Sequence, residues 1–185
     1  GTAFQLADYM GIPRDELRYW TAGINHMAWY LKLEWQGKDV YPLLYKALEN
    51  PEIYARDRIR FEIMKHFGAF VTESSTHMSE YVPYFRRRPE LIQQYQLRSN
   101  LNRDWSEWLN RRDEKYEQMV QEVKDKAPIT LDRSHEYCSA ILDAIETNVP
   151  FRFNGNVRNH GVITNLPNNA LVEVPILADG MGLHP

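Results

Sequence analysis

Three short clusters in this 185-residue chain gather side chains able to bind or transfer something. The first is Ala22-Gly23-Ile24-Asn25-His26-Met27-Ala28-Trp29. It sets an amide and an imidazole at the mouth of an apolar segment, and a neutral imidazole is a good ligand for a transition metal. A histidine hydrogen-bonded to backbone accounts for the same residues and is the commoner arrangement. No HxH, HExxH or paired-cysteine spacing accompanies His26, so the segment makes no self-contained metal site.

The second cluster runs from Thr72 to Glu80, polar except at Met78, and leads into Tyr81 and Tyr84. Glu73 and His77 suit acid–base work. Tyr81 would act as a base only where its surroundings lowered a phenol pKa that is ordinarily about 10. A Ser/Thr cap opening an aromatic core helix explains these residues equally well. The third cluster is Asn154-Gly155-Asn156-Val157-Arg158-Asn159-His160-Gly161, followed by Thr164-Asn165-Leu166-Pro167. Its amides suit sugar hydroxyls; they also suit turns, where Asn and Gly accept positive φ. Arg86-Arg87-Arg88 reads as a solvated helix end rather than an anion site. Cys138 reads as a buried structural thiol on an apolar helix face.

Hydrophobic spacing marks out the elements that must position these clusters. Thr2 to Met10 predicts a helix ended by Gly11, with Pro13 blocking continuation and Asp15 to Trp20 adding a further turn. From Met27 the period becomes two: Met27, Trp29, Leu31, Leu33 and Trp35 form a buried face, alternating with Ala28, Tyr30, Lys32 and Glu34. Gln36 to Asp39 is turn chemistry, and Val40-Tyr41 begins a return strand. Tyr41 to Leu48 and Arg56 to Phe67 follow as helices, the second closed by Gly68. The longest helix spans Leu101 to Val123. There Leu101, Trp105, Trp108, Leu109, Tyr116, Met119, Val120 and Val123 share one face, which predicts core packing ahead of a coiled coil with an imperfect heptad. Another helix, about Arg133 to Thr147, is expected to bury Cys138, Ile141, Leu142 and Ile145. The tail is extended at Phe151 to Phe153, Val162-Ile163 and Leu171 to Ile176. The fold class is α+β: helices around a small, mainly antiparallel sheet.

Composition excludes several classes. Apolar residues make up 43% and aromatics 12%, with mixed charges, which argues for one globular domain and against disorder. No apolar run approaches the roughly 18 to 20 residues of a membrane helix. With 22 basic and 25 acidic residues the net charge is −3, so nucleic-acid binding driven by overall charge is not expected. One cysteine excludes an internal disulfide and suits a reducing compartment, which together with the lack of a leader predicts a cytoplasmic protein. The chain opens at Gly1 and stops after a strand-like segment, and a piece of a longer protein is expected.

Taken together, the clusters resemble the NAD- and manganese-dependent glycoside hydrolase family 4, in its α-galactosidase (melibiase) branch. The resemblance rests on Ala22 to Trp29, Arg60-Phe61-Glu62-Ile63-Met64-Lys65 with Gly68, and Val71-Thr72-Glu73-Ser74-Ser75 with His77. Glu80-Tyr81, Pro83-Tyr84-Phe85, Arg133-Ser134, Glu136-Tyr137, Gly155 to Asn159, Thr164 to Pro167 and Val172-Glu173-Val174 continue it in order. This family departs from two-carboxylate glycoside hydrolysis. The resemblance implies that NAD⁺ removes hydride from sugar C3, a base takes the C2 proton, the glycosidic oxygen is eliminated, water then adds, and NADH returns the hydride. A divalent metal such as Mn²⁺ on the C2 and C3 oxygens would stabilise the developing enolate.

By the same resemblance His26 is the metal ligand and Asn25 lies beside the sugar. Tyr81 is the C2 base, with Tyr84 the second candidate. Glu73 and His77 belong in the substrate pocket, and Asn156, Asn159 and Asn165 line it. The implied fold is the lactate/malate dehydrogenase-like C-terminal domain of the family. Its N-terminal Rossmann domain and metal-binding cysteine would lie upstream, so these residues alone are not expected to turn over a glycoside. The implied partner is a small α-galactoside, and the implied assembly a homo-oligomer. A related α-glucosidase or α-galacturonidase remains open on the residues, as does a non-catalytic carbohydrate-binding or oligomerisation module.

Overall fold

In the computed structural model, which describes residues 1–97, 105–128 and 136–185, helix α1 spans Thr2–Met10. It stops at Gly11, which takes φ 67°. The Ile12 amide donates back to Ala7 O at 2.9 Å and the Gly11 amide to Asp8 O at 3.3 Å, the two bonds that close a helix end with a left-handed residue. Only a single turn follows, closed by the Glu16 amide donating to Pro13 O at 3.0 Å. Arg18–Ala22 is instead strand β1, because it pairs antiparallel with β2 (Trp29–Trp35). Pairing across the sheet overrides the weak local helix signal.

Strand β2 departs from the expected alternation, for a visible reason. Trp20 pairs with Lys32, but the next residue, Thr21, pairs with Tyr30, so Leu31 has no partner on β1. This bulge inserts one residue and reverses the inward face beyond it. Tyr30 and Leu33 are therefore buried while Leu31 is 62% exposed. The return strand is β3 (Lys38–Asp39), and Val40-Tyr41 does not extend it. Asp39 Oδ1 accepts from the Tyr41 amide at 3.0 Å, and Pro42 favours a helix start, so α2 begins there (Tyr41–Ala47).

Asn50 caps α3 (Pro51–Arg56), and Asp57 separates it from α4 (Arg58–Phe67), which ends at Gly68. Strand β4 (Phe70–Val71) pairs with the start of β2. Helix α5 (Ser75–Tyr81) is capped by Ser74, whose Oγ accepts from the His77 amide at 3.4 Å; α6 spans Pro89–Gln94. Helix α8 (Cys138–Thr147) leads into a second antiparallel sheet of β5 (Phe151–Arg158), β6 (Leu171–Asp179) and β7 (Gly182–His184). Val162-Ile163 is not a strand but part of the β5–β6 loop. The two sheets meet at one bridge, where the Gly23 and Glu173 backbones exchange hydrogen bonds of 3.1 and 2.8 Å. The α+β expectation holds.

The chain divides into two units, Gly1–Leu97 with Tyr137–Pro185, and Arg98–Glu136. In the second unit α7 (Trp105–Lys124) is described. Of the described part of its predicted apolar face, Leu109, Tyr116, Met119 and Val123 are exposed and Val120 is half-buried, against the expected core packing. Spacing locates an apolar stripe but not what covers it. Leu101, Arg133 and Ser134 lie outside the described residues, as do the side chains of Trp105 and Trp108. Helix α8 is corrected likewise. Ala144 is buried and Ile141 half-buried, whereas Cys138, Leu142 and Ile145 are exposed, so the Cys138 thiol is not a core group. The helix is apolar on most sides and packs on its small-residue side.

The main core of the first unit joins Leu6, Ala7, Leu33, Leu44, Phe61, Met64 and Phe70 from α1, β2, α2, α4 and β4. Within it Arg60 and Asp57 are 2% and 4% exposed. Arg60 Nε donates to Asp57 Oδ1 at 2.8 Å, and Nη2 donates to both Asp57 Oδ2 and Gln5 Oε1. Tyr9 and Ser75 hydroxyls also donate to Asp57, and Arg60 lies 4.9 Å over the Phe70 ring. Removing one partner of such a pair leaves a buried charge unmatched. Arg60→Ala is expected to lower unfolding free energy by about 3–5 kcal/mol, read by urea denaturation; a loss below about 1 kcal/mol would contradict this account.

Tyr41 supplies a second buried device. Its hydroxyl donates to Tyr30 O and accepts from the Phe70 amide, standing between two residues that are register partners. Burial pushes its phenol up to about 12, with the Phe70 amide opposing and Tyr45 and Asp39 adding. Because an unfolded phenol ionises near pH 10, the stability from this raised value is present below about pH 10 and lost between about pH 10 and 12. Tyr41→Phe is expected to cost about 1–3 kcal/mol at neutral pH, by orphaning a buried carbonyl and amide, yet to flatten the alkaline decline in urea midpoint. An undiminished alkaline slope would refute the assignment.

Candidate functional site

The site is built on a turn and a register. Between β1 and β2 the Met27 amide donates to Ile24 O at 2.8 Å, closing a turn whose third residue, His26, has φ 63°. Gly23 enters this turn, and a Cβ there would lie 2.6 Å from Ala28 Cα and 2.8 Å from Met27 O, so only glycine fits. Across the sheet Trp29 pairs with Val71, and Ala28 O accepts from the Thr72 amide at 2.9 Å. Continuing that register places Glu73 beside the His26 turn. Thr2 and Ser75 pin the same segment: Thr2 Oγ1 donates to Thr72 O at 2.7 Å and Ser75 Oγ to Asp57 at 3.1 Å.

Four predicted residues meet here. His26 Nδ1 is hydrogen-bonded to Glu73 Oε2, and Glu73 Oε1 accepts from the Ser74 amide at 2.7 Å. The Tyr81 ring stacks on His26 with centroids 5.7 Å apart at 25°, and the His77 ring is 5.8 Å away. His77 Nδ1 lies 3.0 Å from Glu80 Oε2. Burial raises the Glu73 pKa, but the Ser74 amide, the His26 hydrogen bond and the charges of His26 and His77 outweigh it. The carboxyl is held below its usual value and is ionised at neutral pH. Residue types alone left open a histidine bonded to backbone; its partner is a carboxylate. The Ser74 cap of α5 is formed as well, so the capping reading of the second cluster holds.

The other predicted residues are dispersed. Asn25 is exposed at the turn tip. Tyr84 does not join the histidines: its ring packs 6.3 Å from Phe67 and 6.2 Å from Phe85, and it lines an apolar cleft of about 400 Å³ with Tyr95. Asn165 lines another cleft of about 400 Å³ with Ile24, Met27, Trp29 and Leu166. Asn156 is exposed on β5 directly opposite Glu173 on β6. Asn159 is corrected from sugar contact to scaffold. It is fully buried, its Nδ2 donates to Ile163, Leu166 and Pro167 carbonyls, and its Oδ1 accepts from the Ile163 amide.

Glu173, which sequence reasoning did not single out, is joined to the turn through its backbone bridge to Gly23. Burial raises its carboxyl pKa, His26 opposes, and Glu73 adds, so it stands within the field of both. Its signal was the acidic residue interrupting the apolar run Leu171 to Ile176. A polar cleft of about 620 Å³ reaches Glu73 and is lined also by Asp8, Arg14, Arg56, Ser75 and Thr76. Among the described residues no three or more His, Cys, Asp or Glu side chains are grouped to hold a metal ion. His26 therefore belongs to no such group among the described residues. No described helix is long and apolar enough to cross a membrane.

Two antiparallel sheets meeting at a histidine-bearing turn define a domain type that comparison with known proteins identifies. Residues 21–185 match the family 4 glycosyl hydrolase C-terminal domain, and the chain belongs to that family. It is 42% identical to an alpha-galactosidase of Bacillus subtilis (strain 168), covering 95% of this chain and 41% of that protein. It is 33% identical to an alpha-galactosidase of Rhizobium meliloti (strain 1021), covering 98% of this chain and 39% of that protein. The chain therefore spans about two fifths of these relatives. Two solved structures share the fold. The Bacillus subtilis lplD protein, named a glucosidase, gives TM-score 0.80 at 21% identity over 99% of this chain and 45% of that one. A 6-phospho-alpha-glucosidase from gut microorganisms, solved with NAD and Mn²⁺, gives 0.67 at 17% identity over 98% and 44%.

The Gly23 geometry carries its own test. Gly23→Ala forces backbone apart at Ala28 and is expected to destabilise the protein by about 1–3 kcal/mol. It should also open the bridge to Glu173, seen as faster amide hydrogen exchange at residue 173. Unchanged exchange there would show that the turn accommodates the methyl group.

Proposed function

We propose that this chain forms the sugar- and metal-facing part of a family 4 α-galactosidase, with His26 as a metal ligand and Tyr81 as the base at sugar C2. The observation that carries the reading is the Tyr81 ring stacked on the Glu73-bonded imidazole. The two most identical relatives described above, both alpha-galactosidases, support the substrate class. Neighbouring structures named as complexes with NAD and Mn²⁺ support the two cofactors.

The residues present fit a metal. His26 presents Nδ1 to a carboxylate, which leaves Nε2 as the free donor atom, the usual arrangement of a ligating histidine. When bound there, a divalent ion would supply Lewis-acid stabilisation of negative charge on the sugar oxygens. The redox half of the reaction belongs to NAD. Among the described residues no glycine-rich strand–turn–helix unit offers that dinucleotide a cradle.

In this reading Tyr81, its ring stacked on the imidazole, would take the C2 proton of the oxidised sugar. Glu73 holds His26, and His77 completes the polar wall with Asn25 at the rim. Asn156 and Asn165 stand on neighbouring surfaces as further hydrogen-bonding groups for the sugar. The lone exposed thiol of Cys138 suits a reducing, cytoplasmic setting, and the exposed stripe of α7 supports a homo-oligomer.

The test separates the two tyrosines. In the whole protein, Tyr81→Phe keeps the ring against His26 but removes the base. Solvent-deuterium incorporation at C2 is expected to slow at least about a hundredfold, while Tyr84→Phe stays near wild type. Exchange that survives Tyr81→Phe and vanishes in Tyr84→Phe would reverse the assignment.

A further inference from the structure

The geometry points to Glu73 as a positioning residue: its carboxylate fixes the proton of His26 on Nδ1 and so holds the Nε2 lone pair ready for a divalent metal. This goes beyond the family resemblance, which sets Glu73 among the sugar contacts, and it rests on the reading of His26 as a metal ligand.

An ionised carboxylate only accepts hydrogen bonds, so the ring nitrogen facing it must carry the proton. Glu73 Oε2 faces His26 Nδ1, and the other nitrogen of a neutral ring is then a bare acceptor. Rotation of the ring is opposed on two sides, by Tyr81 stacked at 5.7 Å and His77 at 5.8 Å. The backbone contributes as well. His26 sits at φ 63° in a turn whose entry allows only glycine, so the imidazole leaves the chain in one direction.

Glutamate also answers a demand that its amide counterpart cannot meet. Glu73 accepts at both oxygens, from His26 at Oε2 and from the Ser74 amide at Oε1. Glutamine has one oxygen. With that oxygen on the Ser74 amide, its NH₂ faces His26, Nδ1 must accept, and the ring proton moves to Nε2. An isosteric change would therefore cap the metal-binding nitrogen with hydrogen while leaving the packing alone.

Two readouts on the metal-free whole protein test this. Nitrogen-15 spectra of labelled histidine at mildly alkaline pH, where imidazole is ordinarily neutral, report which ring nitrogen is protonated. Wild type is expected to show His26 as the Nδ1–H tautomer, and Glu73→Gln as the Nε2–H tautomer. Free Mn²⁺ measured by electron paramagnetic resonance should then show affinity reduced about 10–100-fold in Glu73→Gln. An Nε2–H tautomer in wild type overturns the proposal without any variant having to fold. So does a tautomer unchanged by Glu73→Gln, or an affinity unchanged by it. His26→Ala distinguishes the underlying reading: if it leaves Mn²⁺ affinity unchanged, His26 is not a ligand and both fall. If it weakens binding while Glu73→Gln does not, only the role of Glu73 is lost.

Discussion

The buried pair of Asp57 and Arg60 is the constraint on which the rest of the first unit depends. Two charges removed from water are tolerated only when hydrogen bonds match them closely. Here Tyr9, Gln5, Thr2 and Ser75 supply those bonds, from α1 on one side and the start of α5 on the other. Asp57 also separates α3 from α4, so the pair fixes where α4 begins. A helix that began one residue later would carry Arg60 out of reach. The network therefore specifies the arrangement of three helices, whatever its net contribution to stability.

Its consequence for the site is direct. Thr2 bonds both Arg60 and the Thr72 carbonyl, and Ser75 bonds Asp57. Glu73 lies between those two anchor points, and the β2–β4 register sets it against the His26 turn. One buried ion pair thus holds the carboxylate, and a glycine-only turn holds the imidazole. On the far side of the same turn the Gly23–Glu173 bridge attaches the second sheet. Elements from distant parts of the chain converge on a few side chains, and scaffold groups such as Asn159 are occupied in keeping loops in place.

The residues surrounding His26 show how chemistry and architecture share the same atoms. Ser74 caps α5 with its hydroxyl and steadies Glu73 with its amide. Tyr81 ends α5 with its ring over the imidazole and half its surface open. A short helix is thereby tied at both ends to the turn that carries His26.

Much was legible from the chain alone. Gly11 and Gly68 ended helices where the spacing of apolar residues did, since few other residues take positive φ readily. The extended tail and the α+β class followed from periodicity, and the family resemblance nominated His26, Glu73, His77 and Tyr81, which the fold brings together. What could not be read was whatever depends on partners distant in sequence. The strand at Arg18–Ala22 exists because β2 pairs with it, and Leu31 faces outward because a bulge shifts the register by one. The exposure of α7 and the shallow seating of α8 reflect what packs against them, which amphipathic spacing does not encode. Residue types nominated Tyr81 and Tyr84, Asn159 and Asn156 alike; only folding brought Tyr81 to the histidine, buried the Asn159 amide in its own loop and set Glu173 near Glu73. Local backbone preferences act over a few residues and are written in the sequence, whereas register, burial and electrostatic field arise between segments and exist only once the chain has packed.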